Sequence, residues 1–341
     1  MTLFSVLDLA PVCEGSNPTE ALHNALDLAQ HAEKWGFNRY WVAEHHNFAG
    51  IASAATSVVM GYIAGGTSTI RIGAGGIMLP NHSPLMIAEQ FGTLASLYPG
   101  RIDLGLGRAP GTDQLTMQAL RRSLSQDVGD FPRDVTELQH FLKAPEAAQR
   151  VVATPGAGTN VPLWILGSSL FGAQLAAMLG LPFAFASHFA PAAMDQAIDI
   201  YRENFQPSEQ LEKPHVMLGY NVCAADSPEE ADLLRSSSLQ SFVNMRKGTA
   251  GKLPPPIADF EATLSGPEQQ MLHQMARCAA VGNADIIEDQ IKKFLKETEA
   301  DELIIVSSIF DHKARLYSYE LTAQVASRFN YEVYNISSQL G

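Results

Sequence analysis

The chain is poor in cysteine. Only Cys13, Cys223 and Cys278 occur among 341 residues, and none is spaced as CxxC. That argues against a disulfide framework and against a thiolate zinc site. Positive charge is also short, with 23 Lys and Arg against 36 Asp and Glu and a net charge of −13. A nucleic-acid binder needs a basic footprint, so that class is set aside, and the acidic balance fits a soluble cytosolic enzyme. No apolar run is long enough to span a bilayer. The opening "MTLFSVLDLAPVCEGS" has no positive start and is interrupted by Asp8. It reads as a first strand, not a signal peptide. Internal repeats and low-complexity tracts are missing too.

What remains is a chain that is 46% hydrophobic, ample for a large core. Short apolar runs at 3–9, 39–45, 70–78, 101–107, 162–167, 183–187, 215–225 and 301–308 alternate with helical patterns. The first helix shows the signals clearly. In "NPTEALHNALDLAQHAEKWG", Asn17 is the N-cap, Pro18 suits the first turn and Glu20 completes a capping box. Leu22, Ala25, Leu26, Ala29 and Ala32 then share one face, and Gly36 ends the helix. Ser83-Pro84 and Ser227-Pro228-Glu230 open later helices in the same way. Apolar strands separated by helices mean parallel βα units. Eight such units predict a single α/β domain over 1–341, a (β/α)8 TIM barrel with insertions. The rival doubly wound sheet would carry a glycine-rich loop after its first strand, where this chain has "APVCEGSNP".

Two stretches break the alternation. Residues 144–161, rich in Ala, Pro and Gly, are expected to form a surface excursion. Residues 247–267, "KGTAGKLPPPIADFEATLSGP", form a long irregular stretch with three consecutive prolines. A loop of that length is functional or disordered.

Catalytic residues of such a barrel come from the C-terminal ends of its strands. Glu44, His45, His46 and Asn47 end strand 2, and Gly75 and Gly76 lie near the end of strand 3. Arg108 follows strand 4, Gly167, Ser168 and Ser169 follow strand 5, and His188 follows strand 6. On an extended chain His45 and His46 point to opposite faces, so His45 is assigned to the site. His46 is either a pocket residue or a histidine held by a loop carbonyl. Glu44 either serves the site or pairs with a core arginine such as Arg71 or Arg101. A metal site from Glu44, His45, His46 and His188 would need converging ligands, and no HxH or HExxH pattern supports it. Arg108 as a solvated surface residue and His188 as a loop cap are the plain alternatives. Asp103 and Arg101 read as barrel-interior or rim structure. "GLGRAPG" is not a GxGxxG fingerprint.

Three segments together, "YWVAEHHN", "IGAGGIMLPNHSPLMIAEQFGTLASLYPGRIDLGLGRAPG" and "LWILGSSLFGAQLAAMLGLPFAFASHF", resemble the bacterial luciferase-like flavin-dependent monooxygenases. The resemblance runs in order over nearly the whole chain and is greatest to the single-chain bacterial members. It implies FMN at the C-terminal ends of the strands, with Glu44 and His45 beside the flavin ring. It also implies a non-proline cis peptide at Gly75–Gly76, and a phosphate held by Arg108 and the Gly167-Ser168-Ser169 loop at a helix start. The light-emitting members carry a reactive cysteine where this chain has Gly107. The expected activity is oxygenation of a small organic substrate by reduced FMN and O2 through a flavin C4a-hydroperoxide, with His45 moving a proton. His46, Asn47 and His188 are expected to line the substrate pocket. A separate flavin reductase is the expected partner, and a homodimer is a further candidate assembly. The alternatives are an FMN-binding protein without turnover, a deazaflavin (F420) dehydrogenase and a metal-dependent barrel hydrolase. Residues 247–267 are expected to act as a mobile cover.

Overall fold

The computed structural model describes residues 2–109, 114–120 and 130–339. Its nine strands are all parallel: β1 (Leu3–Asp8), β2 (Arg39–Val42), β3 (Arg71–Met78), β4 (Ile102–Gly107), β5 (Leu163–Gly167), β6 (Phe183–Phe185), β7 (Val216–Ala224), β8 (Ala279–Gly282) and β9 (Glu302–Val306). Neighbours pair in chain order from β1 to β7, then β7 pairs with β9 and β9 with β1. This closes an eight-stranded barrel and rules out the doubly wound sheet. The short β8 lies outside the ring, on the C-terminal half of β7 from Asn221 to Ala224.

Eleven helices are described: α1 (Pro18–Lys34), α2 (Thr56–Gly65), α3 (Pro84–Leu97), α4 (Gln114–Leu120), α5 (Phe131–Leu142), α6 (Leu170–Leu179), α7 (Met194–Asn204), α8 (Pro228–Arg246), α9 (Gly266–Met275), α10 (Ala284–Thr298) and α11 (His312–Gln339). Asn17 caps α1 by accepting from the Glu20 amide at 3.2 Å. The reciprocal half of the expected box is shifted by one residue, because the Glu20 carboxylate takes the Ser16 hydroxyl at 2.7 Å. No described helix is long and apolar enough to cross a membrane.

Strand alternation sorts the core into two layers. Phe4 and Val6 face the helices, with Leu28, Ile63, Phe91 and Phe183. Leu7 faces inward, where it meets Trp41, Trp164, Met217 and Ile304 in the barrel interior. Below that layer, at the N-terminal ends of the strands, charge fills the barrel. Asp103 accepts from Arg39 at 2.7 Å, Arg71 at 2.5 Å and the Trp41 indole at 3.3 Å. Glu302 takes Arg39 at 3.0 Å, His215 at 3.2 Å and the Ser5 hydroxyl. Burial alone would push the Glu302 carboxyl up, but His215 and Arg39 hold it below its ordinary value. This end of the barrel is filled by an ionic plug of Arg39, Arg71, His215, Asp103 and Glu302. Asp103 is interior, as expected. Arg101 is at the rim, the other expected place, where it bonds the carbonyls of Ile70 at 3.0 Å and Thr67 at 3.1 Å.

A second buried ion pair fixes the last helix. Arg315 of α11 donates to Asp8 at 2.6 Å and to the Ser307 carbonyl at 3.0 Å, and Tyr40 donates its hydroxyl to the same aspartate.

Both irregular stretches are better anchored than their composition suggests. Residues 144–161 form turns without helix or strand, yet Gly156 is wedged against α3. A side-chain carbon at Gly92 would come within 2.1 Å of the Gly156 Cα. The second stretch contains a 3-10 turn over Phe260–Thr263 and the start of α9. Leu253 is buried and bonds to the loop after β1, through Val12 at 2.9 Å and Glu14 at 2.8 Å. After α9, Arg277 is paired with Asp195 of α7 at 2.5 Å. The segment 247–278 is therefore a strap between the β1 and β6 sides of the mouth.

Candidate active site

The site is framed by Glu44. The strand β2 ends at Val42, and the next residues stay extended enough for Glu44 and His46 to share a face, as alternate positions must. His46 donates Nε2–H to the buried Glu44 carboxylate at 2.7 Å, and His82 reaches it at 2.9 Å. Asn81 donates at 3.3 Å and the Met78 amide at 2.9 Å. The Glu44 amide closes the knot by donating to the Gly76 carbonyl at 3.2 Å. Burial by itself pushes the Glu44 carboxyl up, but His82, His46 and the Met78 amide overcome it and hold the group below its ordinary value. Glu44 thus ties the end of β2 to the end of β3 as an ionised hub. It pairs with neither Arg71, which is bound to Asp103, nor Arg101.

His45 turns the other way. Its Nδ1 is sealed from solvent and has no partner among the described residues. Phe48 meets the ring edge-on at 5.8 Å. Burial pushes the imidazole below its ordinary pKa, with Glu44 partly opposing. Asn47 then adopts a left-handed φ of 59° and carries the chain outward.

His188, after β6, faces the mouth from the opposite side of the barrel. Its Nδ1 is likewise sealed and unpartnered among the described residues. Burial, with a smaller contribution from His45, pushes its pKa down to about 4. The ring rests on Gly219 of β7, where an added side-chain carbon would lie 2.1 Å from Nδ1. His188 is not a loop cap through its ring; its carbonyl accepts from the Asn221 amide group at 2.7 Å.

The Gly75–Gly76 peptide is cis, and the β3–β4 register shifts there. Packing alone accounts for both glycines. A side chain at Gly75 would meet Trp41 at 2.8 Å, and one at Gly76 the Gly105 carbonyl at 2.7 Å. At Gly107 it would meet the Met78 sulfur at 2.7 Å.

On the β4–β5 side, the Arg108 guanidinium lies over the Phe171 ring at 4.2 Å. Ser169 is the N-cap of α6, but its hydroxyl makes no capping hydrogen bond. Gly167 lies close against Gly172, Ser168 is exposed, and the helix start stays open. A cation beside an uncapped helix start suits an anion such as a phosphate. An unpaired buried imidazole nitrogen suits a polar ligand atom, because leaving it unmet is costly. The donor set at this mouth therefore fits a phosphorylated flavin.

Among the described residues, no three His, Cys, Asp or Glu side chains are arranged to hold a metal. A recess of about 320 Å³ between α6 and α7 is lined by Gln174, Met178, Ile200, Asn204 and Gln206 and carries no titratable group.

Five contributors lie outside the residues expected from sequence: His82, Asn81, Phe48, Gly219 and Phe171. Gly219 had a signal, since glycine inside an apolar strand marks a close approach. His82 and Phe171 had none beyond lying near strand ends.

The chain was then compared with known proteins. The luciferase-like monooxygenase family model matches residues 2–302. A luciferase-like monooxygenase of Escherichia coli K12 is 55% identical over 322 residues, covering 94% of this chain and 96% of that protein. The crystal structure of apo-MsnO8 superposes with a TM-score of 0.89 at 36% identity, covering 96% and 99% of the two chains. The oxygenating constituent of 3,6-diketocamphane monooxygenase from Pseudomonas putida, solved in complex with FMN, shares the fold. Its TM-score is 0.70 at 14% identity, with 94% of this chain and 96% of that one covered.

Proposed function

The chain belongs to the luciferase-like monooxygenases, and we propose that it uses reduced FMN and O2 to oxygenate a small organic substrate, with oxygen transfer at the flavin C4a position. The observation that carries this reading is that the C-terminal strand ends carry Arg108 over the first turn of α6, whose N-cap makes no side-chain bond, and two buried imidazole nitrogens without partners among the described residues. Arg108 and the start of α6, with Gly167, Ser168 and Ser169, would hold the flavin phosphate. The backbone at Gly75 and Gly76, kept in place by Glu44, would face the ring. When bound, reduced flavin supplies the two electrons that let one oxygen atom of O2 enter the substrate and the other leave as water.

The protein's own part is binding, orientation and proton handling. His45 is the proton carrier. Its lowered pKa keeps the imidazole neutral at working pH, so a ring nitrogen can accept a proton and return it. His188 stays neutral and offers a hydrogen-bonding nitrogen to the substrate. Asn47, on the exposed edge, completes the pocket wall, while His46 is held by Glu44 on the other face. A separate flavin reductase supplies the reduced cofactor.

The test has two stages. Titration with FMN and F420 side by side reads out cofactor choice; FMN is expected to bind and F420 is not. Reduced FMN and labelled O2 are then mixed with an aldehyde and small-metabolite panel, and products are weighed by mass spectrometry. The parent should incorporate label, and His45→Ala should bind FMN normally yet yield little product. Binding of F420 alone, or products free of label, refutes the proposal. A parent that binds FMN without ever turning over would point to a cofactor carrier.

A further inference from the structure

We infer that Phe171 is a positioning residue that makes this site discriminate phosphorylated from unphosphorylated flavin. The inference rests on Arg108 as the phosphate ligand and adds how that cation is held. The arginines buried in and around the barrel are held by acceptors, Arg39 and Arg71 by Asp103 and Arg315 by Asp8, while the exposed Arg246 lies over the Phe242 ring at 5.2 Å without one among the described residues. Arg108 is of the second kind. Among the described residues its guanidinium makes no hydrogen bond or ion pair, and its one recorded contact is the face of Phe171 at 4.2 Å.

The consequence is chemical. A carboxylate partner would neutralise the cation and occupy its N–H groups. An aromatic face does neither. A guanidinium over a ring face keeps its N–H donors unoccupied and so available for bidentate contact with an anion. Phe171 is also the second residue of α6 and packs against the main core. The ring that carries Arg108 therefore belongs to the first turn of α6, the turn whose N-cap Ser169 makes no side-chain capping bond. Phe171 touches neither phosphate nor ring; it acts through Arg108.

The experiment measures FMN and riboflavin affinities by fluorescence quenching for the parent, Phe171→Leu, Phe171→Tyr and Arg108→Ala. Circular dichroism checks that each variant is folded. Phe171→Leu keeps the apolar bulk and removes the π face, so FMN should bind about three- to tenfold more weakly. Riboflavin affinity should hold, and Phe171→Tyr should restore the preference for FMN. Combining Phe171→Leu with Arg108→Ala should cost no more than Arg108→Ala alone. An equal loss for FMN and riboflavin, or an unchanged preference, overturns the positioning role. If Arg108→Ala itself leaves the preference intact, the phosphate reading fails. If Arg108→Ala abolishes the preference and Phe171→Leu does not, only this inference fails.

Discussion

Replacing Glu44 by glutamine is the most direct probe of how the mouth is built. The substitution keeps the shape and removes the charge. The carboxylate accepts from His46 at 2.7 Å, His82 at 2.9 Å and the Met78 amide at 2.9 Å. An amide has one acceptor oxygen. If it faces the histidines, its NH2 points at the Met78 N–H; if it is flipped, the NH2 points at the Asn81 NH2, and both imidazoles must change tautomer to accept from it. Either way at least one buried donor is left unmet, and the surviving bonds lose their charge assistance. Together these amount to roughly 3 kcal/mol. An unfolding entropy of about 2.1 cal/mol/K per residue over this chain converts that into a melting point lowered by roughly 4 °C.

The pH dependence carries a sign that can be checked. The folded Glu44 carboxyl lies below its ordinary value. Its contribution is therefore complete above the unfolded carboxylate pKa and disappears as pH falls through the folded one. The parent and Glu44→Gln should differ fully at neutral pH and converge in acid, as followed by thermal and urea unfolding across a pH series. A neutral-pH difference within about 1 °C, well under the cost of one unmet buried donor, would falsify the hub assignment. A gap that persists undiminished in acid would show that shape, not charge, is what Glu44 supplies.

Arg315→Leu strands Asp8 without its ion-pair partner in a buried site and should cost about 3–5 kcal/mol in urea unfolding, much of it recovered when Asp8→Asn is added. His188 should stay neutral until about pH 4 when its ring proton is followed by NMR. Because the unfolded chain takes up that proton first, stability should fall as pH drops from the ordinary histidine value towards 4, and His188→Asn should flatten the slope. Gly50→Ala puts a carbon 2.3 Å from the Gly251 carbonyl oxygen. It should unseat the strap and speed limited proteolysis within 248–253 while the barrel stays folded; an unchanged digestion pattern argues that this contact does not hold the strap.

The barrel could be read from the sequence because its strands are buried on both faces, and such strands appear as uninterrupted apolar runs. The missed elements fail for separate reasons. β8 is four residues long and lies outside the ring. α9 opens with Gly266-Pro267, which resembles a turn, although Ser265 and Glu268 form a capping box. α10 does carry a signal, with Asn283 as cap and Ile287, Ile291 and Phe294 on one buried face. The 144–161 stretch is the surface excursion that its composition suggests, mostly exposed and without helix or strand; what no local pattern encodes is the contact of Gly156 with α3.

In the site, alternation correctly separated His45 from Glu44 and His46, since that separation is local. The partner of Glu44 is not local. Arg71 and Arg101 were reasonable candidates by charge, yet strand register excludes Arg71. In the parallel pairing of β2 with β3, Arg39 lies beside Arg71 and Val42 beside Ala74. Glu44 is five residues beyond Arg39, a rise of roughly 16 Å at strand spacing. It therefore stands level with the cis turn at Gly75–Gly76, while the arginine is at the plugged end. The chain just past that turn supplies the Met78 amide, Asn81 and His82. Charge complementarity proposed a partner, but the register had already placed it at the wrong end of the barrel.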